Sequence, residues 1–585
     1  MAARLKTFDY VVANPPFSDK RWSTGIVPNE DPYERFKPFG TPPAKQGDYA
    51  YLLHIVRSLK STGKGTCILP HGVLFRGNAE ADIRRALVRK GYIKGIIGLP
   101  ANLFYGTGIP ACIVVIDKEH AHTRKGIFMI DASQGFMKDG AKNRLREQDV
   151  HKIVDAFNKQ LDIAKYSRIV GVEEIEKNEF NLNLPRYIDS QQAEDVQDIE
   201  GHLKGGILLP DVDALQPYWD ICPHLRATLF KPNRKGYVDL AVDKSAIKAT
   251  IYQHPEFVAF TTSMNAHFGI WRNHHAQTLR SLKVGFHAKK VIQILSEDLL
   301  GHYRGKPLMD AYAVYQHAMD YWDATMQDDC YQIAAEGWKA EPTRLIEKDK
   351  KGKEKDKGWT CDLVPKALLV ARYFASEQAN IDALAAELEA TTARLAELEE
   401  EHGDEEGAFA ELESVNKANV AARLEEIDLE EAKATGKAKS AKRGKAVLKV
   451  AEASARYLVK AAEAPDSETA AEAEALRAWL ALNAGEADLK RRIKMAEAEL
   501  DAACYAKYPK LSEEDIKTLV VDDKWLAVLD ADIQGEMDRI TQALTQRVKE
   551  LAERYETTTP TLVSRVSAFE EKVKQHLECM GFSWN

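Results

Sequence analysis

Two consecutive prolines, Pro15 and Pro16, bring an apolar, β-prone run to an abrupt stop. The run is Phe8-Asp9-Tyr10-Val11-Val12-Ala13, and Asn14-Pro15-Pro16-Phe17 follows it. Its composition predicts a strand of a parallel sheet, apolar and buried on both faces. Each proline fixes φ, removes an N–H and drives the residue before it out of the helical region. Asn14 is therefore held extended at the carboxyl end of the strand. Open α/β sheets bind ligands at that edge.

An Asn carbonyl oxygen and the Pro15 backbone carbonyl make two fixed acceptors. They suit an exocyclic NH₂ group, which has two hydrogens to donate. Accepting both returns electron density to a nitrogen whose lone pair is otherwise delocalised into its ring. Phe17 offers a ring face on which a planar base can stack. A strand end closed by a proline turn is the plainer reading of the same four residues, and context decides between them.

That context is extensive. Gln46-Gly47-Asp48-Tyr49-Ala50-Tyr51-Leu52-Leu53-His54 is followed by Gly65-Thr66-Cys67-Ile68-Leu69-Pro70-His71-Gly72-Val73-Leu74-Phe75-Arg76-Gly77. Next comes Ile97-Gly98-Leu99-Pro100-Ala101-Asn102-Leu103-Phe104-Tyr105-Gly106-Thr107-Gly108-Ile109-Pro110-Ala111-Cys112. With Asn14–Phe17, these segments resemble the modification (M) subunit of type I restriction–modification systems, an adenine-N6 DNA methyltransferase. The resemblance is dense from Phe8 to about Asp117 and returns at Phe180–Ile188. It implies Asn14, Pro15, Pro16 and Phe17 as the catalytic motif and S-adenosyl-L-methionine (AdoMet) as methyl donor. It places Asp48, whose position otherwise reads as a helix cap, near the target base. His71, just after a strand end on the Asn14 edge, is either a contact to DNA or the base or a loop histidine bonded to backbone, and Tyr105 is a further substrate-binding candidate. The resemblance also implies DNA, a specificity (S) subunit, a restriction (R) subunit and a second M subunit as partners. Methylation of RNA or of a protein glutamine amide is served by related motifs, which typically carry Tyr after the prolines.

The donor site is what the sequence lacks. A doubly wound methyltransferase carries a Gly-rich loop after its first strand and an acidic residue after its second. In the family these precede the Asn-Pro-Pro-Phe strand, and here seven residues precede Phe8. Gly106-Thr107-Gly108 leads into Ile109-Pro110 and reads as a turn between strands. The expected fold is thus α/β: the C-terminal half of a doubly wound, Rossmann-like AdoMet-dependent methyltransferase domain. A largely helical, coiled-coil-containing region follows. An upstream reading frame, a mis-called start and a truncation each fit this reading.

At 585 residues the chain has room for several domains, and 45% hydrophobic residues can fill their cores. A net charge of −8 excludes DNA binding by bulk charge, so a DNA role needs a local basic surface or a partner. Seven widely spaced cysteines without a C-x-x-C pair argue for reduced thiols, no zinc site and a cytoplasmic protein. No signal peptide and no membrane span is evident.

Four segments follow: a partial methyltransferase domain at 1–190, a mixed, mostly helical extension at 191–375, a coiled coil with a Lys/Ala-rich linker at 376–470, and C-terminal docking helices at 471–585. Ser18 to Gly47 is a long loop, either tucked down by Trp22, Tyr33, Phe36 and Phe39 or contacting DNA through Lys20, Arg21, Arg35 and Lys37. A helix is expected over Asp48–Lys60, closed by Gly63 and Gly65, and Asn78 is the expected N-cap of the next. Strands are expected at Thr66–Leu69, Ile93–Leu99, Ile113–Ile116 and Ile127–Ile130. His274 and His275 read as surface or structural, and Glu347–Lys357 as a solvated loop.

Ile381, Leu384, Leu388, Leu395 and Leu398 form a heptad seam. Lys433–Lys449 is a basic segment or a linker. Further helical stripes run through Ser467–Tyr505, Ile540–Tyr555 and Leu562–Leu577, with a helix start at Ser512. Such stripes need partners, either each other or another subunit. In the family, the C-terminal helices pack with the helical spacers of the S subunit. A non-catalytic assembly protein is the alternative function.

Overall fold

A computed structural model describes residues 5–190, 197–348, 354–404, 407–434 and 468–582. In it, β1 (Phe8–Ala13) forms as the apolar run predicts and stops before the prolines. It is followed by α1 (Asp48–Ser58), β2 (Leu59–Pro70), α2 (Ala79–Arg89), β3 (Ile93–Gly98), β4 (Ala111–Asp117) and β5 (Gly126–Asp131). A short hairpin of β6 (Met137–Asp139) and β7 (Lys142–Arg144), then α3 (Glu147–Lys159), β8 (Ser167–Gly171) and α4 (Val172–Lys177), complete the domain.

Six strands make one mixed sheet in the order β1-β2-β4-β3-β5-β8. β1 runs parallel to β2 and β3 parallel to β5, while β4 and β8 pair antiparallel with their neighbours. The direction of β4 follows from the short turn that joins it to β3, since a parallel return needs a long crossover. α1 and α2 cover one face, with Leu52, Leu53, Ile55, Ile83 and Leu87 packed on Cys67, Ile96, Cys112 and Val114. α3 covers the other, where Ile153 and Ala156 meet Ile97, Phe128 and Ile130. Helices on both faces are the doubly wound arrangement the sequence predicts.

Two local expectations are corrected, and a third, the Asn78 cap, holds in position only. β1 is an edge strand, not one buried on both faces. Val11 and Ala13 pack against the α1 side, while Phe8, Tyr10 and Val12 are 42%, 75% and 80% exposed on the other. The apolar run is compatible with burial, but only β2 flanks it. Gly63 and Gly65 do not close α1, which passes directly into β2 at Leu59. Gly65 instead permits close approach: a Cβ there would lie 3.0 Å from Ile55 Cγ2 and from the Val11 carbonyl. Asn78 occupies the N-cap of α2 at φ +55° but makes no side-chain cap bond.

The long 18–47 loop is tucked down by its aromatics. Trp22 and Phe36 are buried edge to face at 5.5 Å, and Trp22 Nε1 donates to the Pro43 carbonyl. Gly47 is needed beneath them, since a Cβ would meet Trp22 Cβ at 2.7 Å.

The chain divides into two compact units. One comprises Met1–Thr278, His287–Asp328 and Val528–Asn585, and the other Leu279–Phe286 and Asp329–Ala527. Segments 191–375 and 471–585 each contribute to both. In the first unit, helices Ala288–Tyr303 and Ala311–Tyr321 brace α3. Asp155 on α3 gathers Lys159, Arg304 and Tyr312, and His151 pairs with Glu297 at 2.7 Å. His275 is buried with Nε2 on Asp298 at 2.7 Å, a structural role as expected. The stripe Ile540, Leu544, Val548, Leu551 and Tyr555 is buried within the chain. α5 (Ile199–Lys204) lies against the start of the last helix, Thr559–Cys579, where Thr559 Oγ1 donates to the His202 carbonyl.

In the second unit the heptad seam is partnered internally. Helix Ala375–Glu401 runs antiparallel to Glu468–Lys507: Trp479 bonds to Glu399, Thr392 to Glu486, and Ile381 packs near Leu500. Ser512 caps its helix with a capping box to Asp515. The charge run expected as a loop belongs to an exposed hairpin, Thr343–Lys348 with Glu354–Thr360. Cross-strand ion pairs explain how so charged a sequence forms strands: Arg344–Asp356, Lys348–Glu354 and Lys357–Glu347. Beyond Ala434, the Lys433–Lys449 segment lies outside the described residues. Among the described residues no helix is long and apolar enough to cross a membrane. Six cysteines are buried and Cys579 is exposed. Burial pushes the Cys67 thiol up to about 12, which marks it as core.

Candidate active site at the carboxyl edge of the sheet

β1, β2, β3 and β5 all point their carboxyl ends to one edge. Four connections therefore emerge side by side: Asn14–Phe17 after β1, His71 after β2, the 99–110 turn after β3, and Asp131 after β5. Asn14 and Pro16 are exposed there, and Pro15 and Phe17 are half-buried. The prolines end the ladder, since neither can donate to it, and leave the Asn14 amide free of the sheet.

Phe17 meets Phe104 edge to face, with ring centroids 5.6 Å apart. Phe104 sits on the β3–β4 turn, and β7 pins that turn. Lys142 Nζ donates to the Phe104 and Thr107 carbonyls at 2.8 and 3.2 Å, and Asn143 Nδ2 donates to the Ala101 carbonyl at 2.7 Å. The arrangement is an exposed amide acceptor beside two aromatic side chains on anchored backbone. A planar base bearing an amino group matches it chemically.

The next residue, Ser18, has φ +51°, a left-handed conformation that costs a non-glycine residue about 1–2 kcal/mol. Asp48 holds it there. The carboxylate is fully buried at the start of α1, accepts the Ser18 amide at 2.7 Å, and accepts Arg76 Nη1 at 2.7 Å. Arg76 also reaches Gln46 Oε1 at 3.2 Å and Glu80 Oε1 at 3.5 Å. Asp48 thus lies behind the site, and its oxygens are engaged by the protein.

His71 lies at the edge, half-buried, with its backbone N–H on the Pro110 carbonyl at 2.9 Å. Burial lowers the pKa of its imidazole, opposed by the charge of Asp131. Near neutral pH the ring is uncharged, so it offers one donor and one acceptor. Asp131 itself accepts from Ser190 Oγ at 2.6 Å and from the Ser133 amide at 3.1 Å. Tyr105, next to Phe104, is 93% exposed. In the neighbouring loop, Asp31 holds Arg35 and Glu34 holds Lys37, while Lys20 and Arg21 are exposed.

The structure gathers Asn14–Phe17, His71 and the turn bearing Tyr105, and sets Asp48 beneath them. Phe104, Arg76, Ser18 and Lys142 were missed by sequence reasoning. Phe104 adjoins Tyr105 and is itself aromatic, a signal that was present. Nothing local marks the others, whose contacts span 28 to 38 residues. Among the described residues, none of these strand ends opens a glycine-rich loop onto a helix, and Asp131 is already bonded. The exposed Asn14 amide and the Phe17–Phe104 pair match an amino-bearing base in chemistry.

Residues 2–196 match the N-6 DNA Methylase family. The match spans the N-terminal third of the chain. The chain is 36% identical over 199 residues to the type I restriction enzyme MjaVII methylase subunit of Methanocaldococcus jannaschii, covering 32% of this chain and 34% of the relative. It is 32% identical over 199 residues to the HindI methylase subunit of Haemophilus influenzae, covering 32% and 44%. Among solved structures, the chain is similar to a type I restriction-modification methyltransferase subunit from Streptococcus thermophilus at 42% identity, covering 32% and 39%, with a TM-score of 0.29. The chain thus spans between a third and a half of the length of these relatives.

Proposed function

We propose that this chain acts as the modification subunit of a type I restriction–modification complex, in site-specific adenine-N6 methylation of DNA. The observation that carries the reading is the exposed Asn14, fixed on a Pro-Pro turn beside the Phe17–Phe104 pair. In a duplex the adenine N6 lies inside the stack, so the base is flipped out to reach this edge. Asn14 Oδ1 and the Pro15 carbonyl accept the two N6 hydrogens and keep the nitrogen lone pair available. Phe17, buttressed by Phe104, stacks on the ring. Positioning and charge stabilisation supply the rate.

AdoMet is the proposed methyl donor. DNA, an S subunit that reads the sequence, an R subunit and a second M subunit are the proposed partners. Their contribution fits a chain whose net charge is −8. In the reconstituted complex, Asn14→Ala removes methyl transfer to duplex DNA and leaves assembly intact. Retention of most activity overturns the assignment of Asn14.

A second reading, a non-catalytic assembly subunit, is favoured by the extensive helical region. Calorimetric titration of AdoMet into the assembled complex separates the two, since binding supports the methyltransferase and no binding supports the assembly protein.

A further inference from the structure

Arg76 stands where two strand exits meet. Its backbone belongs to the exit of β2, just beyond the turn that opens at His71. That backbone is fixed from behind. Arg84, buried on α2, donates to the Val73 and Arg76 carbonyls at 3.0 Å and to the Phe180 carbonyl at 2.7 Å. Tyr49 Oη donates to the same Val73 carbonyl at 2.8 Å. From this base the Arg76 side chain crosses to the exit of β1. Nη1 donates to Asp48, which carries the Ser18 amide, and Nη2 reaches Ser18 Oγ at 3.5 Å.

On its way the guanidinium passes close over Gly72, the neighbour of His71. A Cβ on Gly72 would lie 2.6 Å from Nε and 2.8 Å from Nη2. One planar fork is thus set between acceptors of the β1 exit on one side and the β2 exit on the other. Stability alone does not call for charge here. A neutral amide in place of Asp48 would accept from Ser18 with no carboxylate to desolvate, and neutral replacements of buried ion pairs are often without cost. What the pair adds is a side chain held in one place between the two exits.

We propose that Arg76 is a positioning residue for methyl transfer, which ties the β1 exit to the β2 exit and so sets Asn14 against His71. The inference rests on the methyltransferase reading and gives Arg76 no contact with the base.

The test is methyl transfer to duplex DNA by the reconstituted complex, read as kcat and KM beside thermal melting. Arg76→Met leaves Asp48 buried and unpaired, so it should lower the melting temperature as well as kcat. Combining it with Asp48→Asn removes the stranded charge. The double variant should regain the melting temperature while kcat stays about a hundredfold down and KM for DNA stays within about threefold of wild type. Gly72→Ala removes no charge but displaces the guanidinium, and should lower kcat about tenfold. Recovery of kcat together with stability in the double variant overturns the proposal, because Arg76 would then only neutralise Asp48. So does a loss confined to KM. A wild-type complex that transfers no methyl group overturns the methyltransferase reading instead. Hydrogen exchange then judges the tie by itself: a Ser18 amide at least about tenfold faster in the double variant supports it, and unchanged exchange overturns it.

Discussion

Asp48 accepts the backbone amide of Ser18 at 2.7 Å, across thirty residues of chain. The bond places a buried carboxylate directly under the turn that presents Asn14. Asp48→Ala leaves Ser18 at φ +51° without its partner and strips Arg76 of its shortest contact. Breaking such a pair costs about 3 kcal/mol. The Ser18 amide should lose its hydrogen-exchange protection, and the urea midpoint should fall. Asp48→Asn keeps an acceptor and should retain most of the protection. Unchanged exchange at Ser18 in the Ala variant would remove Asp48 from this role.

Phe104→Ala tests the aromatic half of the site. Stacking of a base on an aromatic side chain is worth about 1–3 kcal/mol. In the reconstituted complex, affinity for duplex DNA with a mismatched, easily flipped target adenine should drop about tenfold. Subunit assembly should be unchanged, because Phe104 lies on the sheet edge. Fluorescence anisotropy reads the first and sedimentation the second. Equal DNA affinity in variant and wild type would separate Phe104 from the base.

Glu536 gives the first unit a pH dependence with a definite sign. Burial raises the pKa of this carboxyl, but Arg539 and His317 outweigh it and pull it down to about 2. The stability it contributes is present above its unfolded value of 4.5 and is lost as pH falls towards 2. A shift of this size is worth about 3 kcal/mol. His317 is raised by the same contact, so its share is present below the ordinary 6.5 and fades as pH climbs past the raised value. Glu536→Gln should flatten the acid limb of thermal stability between about pH 5 and 2. A melting profile that stays steep in the variant assigns the acid limb elsewhere.

In the second unit, Lys524 Nζ lies 2.7 Å from Asp329, with the Asp362 and Leu363 carbonyls at 3.0 and 3.1 Å. Trp525 Nε1 donates to the same carboxylate at 2.8 Å. Asp329→Ala strands a buried ammonium and should cost about 3–5 kcal/mol, visible as an early unfolding transition. Asp329→Asn should cost less, since it still accepts from Trp525. Wild-type melting in the Ala variant would mean that water has replaced the carboxylate.

The turn at Asn14–Phe17 that forms the candidate site was legible in the sequence because its signal is local. Two prolines after a β-prone run fix Asn14 wherever the strand sits, and the glycine-rich, proline-bounded segment after Leu99 has to turn. The burial of β1 was not legible, since Phe8-Asp9-Tyr10-Val11-Val12-Ala13 reads alike in the middle of a sheet and at its rim. Only the neighbouring strands decide, and they are set by topology. Asp48 shows the same limit. Its helix-opening position is local, whereas its bonds to Ser18 and Arg76 exist only after the chain has folded. The seam from Ile381 to Leu398 specified a helical partner but not which one, because heptads encode a face and not an address.

β1 carries one further consequence. Among the described residues its outer row of peptide groups has no ladder, and Phe8, Tyr10 and Val12 stand out beside it. Strand rims of this kind recruit other strands indiscriminately unless something covers them. A strand laid along this rim would find a row of peptide groups to ladder onto and three large side chains to cover.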